Sequence, residues 1–275
     1  MARTLKFESP SFTKRLKGML SVDFYRLFHT PMYYIFLAIA AMIPALILGT
    51  GGMENPQTGE ISALLYTNVW NAIAADAPLY VFSHIGEYAN MNMVFIFGGI
   101  MVSIFIGHDY SSGYVKQLFT THAKKMDYML SKTLSCAFAM ACMCITYLVG
   151  AVLAGALTGL DFSVNFGSLL IAILSKMIMS LGWASLYTFL NVIFRKQFGI
   201  SIVSSFFFGT GILIIGAAAI LGNSSLLNIF LYGSSVFACL SSTPVTFLTC
   251  LICSVAWAVI YNLLGTWLLS RSDVY

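Results

Sequence analysis

The chain has 275 residues, of which 59% are hydrophobic and 9% charged, with a mean hydropathy of +0.87. Soluble domains run at about 45–50% apolar and about 25% charged, so 14 Lys and Arg with 10 Asp and Glu cannot coat a soluble particle of this size. A cytosolic, secreted or nucleic-acid-binding globule is excluded, and the net charge of +4 bears on membrane orientation rather than on an acidic partner.

The first 17 residues hold five basic side chains and no continuous apolar core, which does not describe a signal peptide. Phe12, Leu16, Met19, Leu20 and Leu27 then recur at helical spacing, with Lys14, Arg15, Lys17 and Arg26 between them. The pattern predicts an interfacial amphipathic helix within residues 1–31, its basic face toward anionic headgroups. Thr30-Pro31 ends it, because the residue before proline is driven out of the helical region.

Six apolar stretches follow within residues 32–275: Met32 to Leu48, Met91 to Gly107, Leu134 to Leu157, Leu169 to Phe194, Gly199 to Leu221 and Phe247 to Leu269. A span needs about 20 apolar residues. The first two stretches lie near the short limit, and Pro44 predicts a kink or tilt in the first. The fold class is an all-α membrane protein with six transmembrane helices. The loop from Gly49 to Asn90 carries Tyr66, Trp70, Tyr80 and Phe82, which suit a membrane interface. The segment Leu226 to Val245 is apolar but broken by Gly233, Ser234, Ser235 and Pro244, and predicts one or two short external helices.

Charge placement tests this partition independently. Arg3, Lys6, Lys14, Arg15, Lys17 and Arg26 precede the first stretch; Lys116, Lys124, Lys125 and Lys132 lie between the second and third; Arg195 and Lys196 separate the fourth and fifth; Arg271 follows the sixth. The alternate loops hold Glu54, Glu60, Asp76, Glu87 and Asp161 but no Lys or Arg. The positive-inside rule puts both termini in the cytoplasm.

The cytoplasmic segment of about residues 108–132 is the most informative: His108-Asp109-Tyr110-Ser111-Ser112-Gly113-Tyr114-Val115-Lys116-Gln117-Leu118-Phe119, closing on Lys124-Lys125 and Lys132. Val115, Leu118 and Phe119 form a small apolar face beside Lys116 and Gln117, suited to a groove on a soluble subunit. An ordinary solvated loop is the plain alternative. An acidic residue, a glycine, a short helix and a basic turn after the second span resemble the same region of type-2 ATP-binding-cassette exporter permeases. The resemblance extends to the interfacial helix with Leu27-Phe28-His29-Thr30-Pro31, the six spans and the short external helices. The chain departs from it at Thr120-Thr121-His122-Ala123, which is neutral where many members are more basic or contain proline.

The resemblance implies that this segment is a coupling helix docking onto a soluble nucleotide-binding ATPase through Asp109, Gly113, Val115, Lys116, Leu118, Phe119, Lys124 and Lys125. It also implies two ATPase copies, a second permease chain, identical or related, and ATP and Mg bound in the partner subunit. This chain has no G-x-x-x-x-G-K-[ST] phosphate loop of its own.

Lys176 is the one basic residue inside a stretch, about 12 Å along the helix from Ser168. Two readings stand: a charge facing the translocation pathway, or a long stem snorkelling to the outer interface. Phe207 and Phe208, in Phe206-Phe207-Phe208-Gly209-Thr210-Gly211, are further pathway candidates by the resemblance, beside the plainer reading of lipid-facing or core packing. Gly150 with Ala154 and Ala151 with Gly155 predict close helix crossings.

The six cysteines sit mostly in apolar stretches and read as packing groups. His29, His84, His108 and His122 fit no metal-ligand spacing, and no H-E-x-x-H or G-x-S-x-G occurs. The expected function is the permease subunit of an exporter for a hydrophobic or amphipathic substrate (an antimicrobial or other peptide, a lipid or a drug), and the expected location is a bacterial plasma membrane. It is a transport subunit, not an enzyme, with no cofactor or metal of its own. The alternatives are an ion-coupled secondary transporter and, behind it, a polytopic membrane enzyme.

Overall fold

Helix α1 (Phe12–His29) meets α2 (Pro31–Thr50) at a bend of 67° in the computed structural model. Thr30 is extended, and Pro31 starts the second helix with the fixed φ that suits a first helical position. There follow α3 (Met93–Ser111), α4 (Tyr114–Thr120), α5 (Lys125–Thr158), α6 (Phe166–Ile193), α7 (Phe198–Gly209), α8 (Leu231–Leu240) and α9 (Pro244–Arg271). The structure describes residues 11–50, 93–120, 123–159, 161–163, 166–213, 220, 229–240 and 243–271. The external aromatics Tyr66, Trp70, Tyr80 and Phe82, together with His84 and His122, lie outside them.

Helices α3, α5, α6 and α9 are each long and apolar enough to cross a membrane, and the bent pair α1 and α2 passes the same test as one unit. The chain is therefore all-helical over its described residues, with four or five spanning candidates. Of the fifth apolar stretch, expected over Gly199 to Leu221, residues 214–219 and 221 lie outside the described residues. Helix α7 has 12 residues, and Gly211 follows at φ 70°, a left-handed cap that ends this helix before Ile212 and Leu213 turn helical again. A side chain at Gly211 would also meet the Tyr232 ring at 2.5 Å.

Helix α6 packs against α9, α5 and α3, while α2 lies along α5 and α7 along α3. The predicted small-residue crossing at Gly150 is present: a Cβ there would fall 2.0 Å from the Ala41 carbonyl oxygen, so α2 and α5 touch backbone to backbone. Gly182 does the same for α6 and α9, donating its N–H to Ser254 Oγ at 2.9 Å. Polar side chains stitch the interior. Ser201 donates to Asn191 Oδ1 at 2.5 Å, Asn191 Nδ2 donates to Ser103 Oγ at 3.2 Å, and Tyr187 donates to the Phe95 carbonyl at 3.0 Å. Such bonds matter where no water competes for the groups.

Two helices are longer than hydrophobicity alone predicts. Helix α5 begins at Lys125, nine residues before the expected Leu134, and its 34 residues extend about 51 Å, well beyond the roughly 30 Å hydrocarbon core. Its first two turns carry Lys125, Asp127 and Lys132, which a hydropathy reading assigns to a loop. Helix α9 starts at Pro244, again a first-turn proline.

Candidate functional site

The site is built at the end of the bundle where α1, the last turn of α3 and the first turns of α5 converge. Asp109 and Lys132 are both fully buried and Asp23 is 2% exposed. Lys132 Nζ lies 2.5 Å from Asp23 Oδ1 and 2.6 Å from Asp109 Oδ2. Arg26 Nη2 donates to Asp109 Oδ1, and Ser131 Oγ donates to Asp23 Oδ2 at 2.5 Å. Two acids and two bases close an electroneutral cluster, the condition under which charges are tolerated away from water.

Aromatic rings complete the enclosure. The Arg26 guanidinium lies over the Tyr114 ring at 4.5 Å, and Lys132 Nζ lies over Phe105 at 4.6 Å, within cation–π range. Burial pushes the Tyr114 phenol above its ordinary value, and the Asp23 charge adds to the shift. A second ion pair, Arg15 Nε to Asp127 Oδ2 at 2.7 Å, ties the start of α1 to the first turn of α5.

These contacts correct the reading of α1. Arg15 and Arg26 do not form a basic face toward headgroups, because their guanidinium groups are engaged by Asp127 and Asp109. Lys14 and Lys17 remain exposed. Asp23, which sequence reasoning passed over, shares the buried face with Leu27, four residues on. An acid in register with the Leu16, Leu20 and Leu27 stripe was the available signal, since a lone carboxylate on an apolar face needs a buried cation.

The predicted docking residues divide into two sets. Asp109 faces inward, and Val115 is buried with Tyr128, Met129, Val192 and Leu269, so neither offers surface to a partner. Leu118 and Phe119 are half-buried against the same cluster, and Phe119 stacks edge-on to Tyr128 at 5.6 Å. Lys116, Gln117, Thr120 and Lys124 are exposed, while Lys125 Nζ donates to the Leu269 carbonyl at 2.6 Å. Gly113 adopts φ 73° in the turn between α3 and α4, a left-handed conformation that favours glycine.

The pathway candidates are far apart in character. Lys176 is fully buried, and its ammonium donates to the Ser235 carbonyl at 2.7 Å; the Ser235 hydroxyl in turn accepts from Trp183 Nε1 at 2.9 Å. The Lys176 side chain has no exposed surface among the described residues. Phe207 lies on the outside of the bundle, edge-on to Phe206, and Phe208 is packed partly into the core.

Cys136, Cys142, Cys144, Cys250 and Cys253 are free thiols; the side chain of Cys239 lies outside the described residues. Among the described residues no three His, Cys, Asp or Glu side chains gather as a metal site. No protein-family model and no curated protein matches this chain.

Proposed function

We propose that the chain is the membrane-spanning permease subunit of an ATP-binding-cassette exporter, driven by a separate ATPase that docks on the segment of residues 108–132. The observation that carries this reading is the placement of α4. A seven-residue helix with Lys116, Gln117 and Thr120 on its outer side is held against the ends of α3, α5, α6 and α9 by the Val115 cluster. The Asp109, Lys132, Asp23 and Arg26 cluster lies directly beside it.

Such a knob transmits force. A push on α4 passes through the Gly113 turn to α3, through Tyr128 to α5 and through Arg26 to α1, because the buried charges cannot separate without losing their partners. Positive-inside topology puts this end in the cytoplasm and both termini with it. The docking surface is then Lys116, Gln117, Thr120 and Lys124, with Leu118 and Phe119 at its edge, while Asp109, Gly113 and Val115 hold its shape. ATP and Mg belong to the partner, present in two copies, and a second permease chain, identical or related, completes the pathway. The exported substrate is hydrophobic or amphipathic, a class that includes peptides, lipids and drugs.

Charge reversal at the exposed positions tests this reading. The double variant Lys116→Glu with Lys124→Glu is expected to keep its fold and lose the co-purifying ATPase. Retention of the ATPase at full stoichiometry by this variant overturns the assigned docking face.

A further inference from the structure

Behind the bend between α1 and α2 lies a cavity of about 320 Å³, at the small end of the roughly 300–1,000 Å³ found for small-molecule sites. Its wall is made by Leu27 of α1, Met32 and Tyr33 of α2, and Met101, Ile104 and Phe105 of α3. The α3 side runs about 10 Å along the helix axis from His108 to Met101. His108 is exposed at one end of this run, beside the exposed His29, and Met101 at the other end is 3% exposed.

The polar groups at this bend are spent on the protein itself. The Thr30 hydroxyl donates to the Arg26 carbonyl at 2.6 Å, the Thr30 amide to the Leu27 carbonyl at 3.3 Å, and the Thr30 carbonyl accepts from the Tyr33 amide at 3.1 Å. His29 Nδ1 bonds the Tyr25 carbonyl at 2.7 Å, and the two rings stack at 4.0 Å. The Arg26 guanidinium is turned to Asp109 and lies over the Tyr114 ring at 4.5 Å. A buried water needs roughly two to four polar partners. The side chains of the wall offer it the Tyr33 hydroxyl alone, and that group is hydrogen-bonded to the Cys142 thiol of α5. Hydrocarbon has no such requirement and gains from every apolar surface it covers.

We propose that this cavity holds one acyl chain of an inner-leaflet lipid, laid along Met101, Ile104 and Phe105, with the head group left outside beyond His29 and His108. The basic segments put this end of the bundle at the cytoplasmic interface, so the run from His108 to Met101 leads from head-group depth into the hydrocarbon. Ile35 and Ala38, exposed on α2 just beyond the cavity, continue its apolar surface toward the bilayer. The small volume takes a single chain rather than a whole lipid. Phe105 belongs both to this wall and to the enclosure of Lys132, whose ammonium lies 4.6 Å from its ring. A chain seated here therefore also keeps water from that side of the charge cluster. The site does not rest on the transporter reading, since it needs only this chain in a bilayer.

The test uses the full chain in nanodiscs of phosphatidylcholine doped with phosphatidylcholine that carries a diazirine on its acyl chain. Adducts are mapped by mass spectrometry after illumination. The expected result is labelling of Met101 and Ile104 at or above that of Leu263 and Leu264, which are 55% and 44% exposed in the second half of α9. A methionine so nearly buried is labelled this strongly only by a chain held against it. A phosphatidylglycerol probe should label the same residues to the same extent, and so should either probe on the double variant His29→Ala with His108→Ala. Ile104→Trp, which fills the cavity, should lower Met101 labelling about tenfold, the equivalent of roughly two buried methylenes. Met32→Trp narrows the cavity from the α2 side and gives the same reading if the first variant fails to fold. Labelling of Leu263 and Leu264 without Met101 overturns the proposal. A marked loss in the histidine variant, or a preference for one head group, also overturns it, because either one places a bound head group at the mouth.

Discussion

Lys132 and Asp23 meet at 2.5 Å although 109 residues separate them in the chain. The contact joins α1 to α5 inside an enclosed, electroneutral cluster and ties the amino-terminal helix to the bundle. Losing one member of such a pair leaves the other charge buried and uncompensated.

Lys132→Met is therefore expected to cost about 3–5 kcal/mol, the range for breaking a buried ion pair. Lys116→Ala, on the exposed face of α4, should stay within about 0.5 kcal/mol of the parent. Unfolding of the two purified variants in mild detergent, followed by the far-ultraviolet helical signal, separates them; equal stability contradicts the cluster.

Arg26 and Asp109 should be strongly coupled, and Arg15 and Asp127 weakly so. Arg15 keeps 20% of its side chain exposed, and solvent screens its pair toward the range of about 0–1 kcal/mol. Asp109 has no exposed surface, and truncating its partner strands the charge. Double-mutant cycles on the two pairs measure the difference, with the larger coupling expected for Arg26 and Asp109.

Gly150→Leu should disrupt the contact of α2 with α5. A Cβ at this position already falls 2.0 Å from the Ala41 carbonyl oxygen, and neither side is a flexible tip that can move away. The expected loss is several kcal/mol by overpacking at a backbone contact, seen as poor yield and early unfolding. Gly18→Leu serves as the control, since nothing lies within 4 Å of a Cβ there.

The outline of the helices was readable because long apolar runs and the Thr30-Pro31 break are strong local signals. The crossing at Gly150 was readable for the same kind of reason, as small residues four apart leave room for a neighbour. What escaped was tertiary. Hydropathy shortened α5 because Lys125, Asp127 and Lys132 look like loop residues until their partners on α1, α3 and α9 are known. The same blindness sent Arg26 to the headgroups and offered Asp109 to a docking partner, when the two bind each other. In α7 the run of apolar residues hid a helix end that the left-handed Gly211 decides.

Gly113→Val isolates the link between α4 and the spans. The substitution forces a β-branched residue into φ 73° with open space around it, so the cost is conformational and about 1–2 kcal/mol. The chain should still fold and still retain its ATPase, while ATP hydrolysis loses its response to substrate. Unchanged coupling in this variant contradicts the role given to the turn.

Affinity purification of the tagged protein from native membranes tests the proposed partnership with a separate ATPase. Mass spectrometry of the purified material, with an ATP hydrolysis assay, should find a stoichiometric soluble ATPase that disappears when Lys116 and Lys124 are reversed in charge. A chain that purifies without an ATPase and without hydrolytic activity contradicts the proposed partnership.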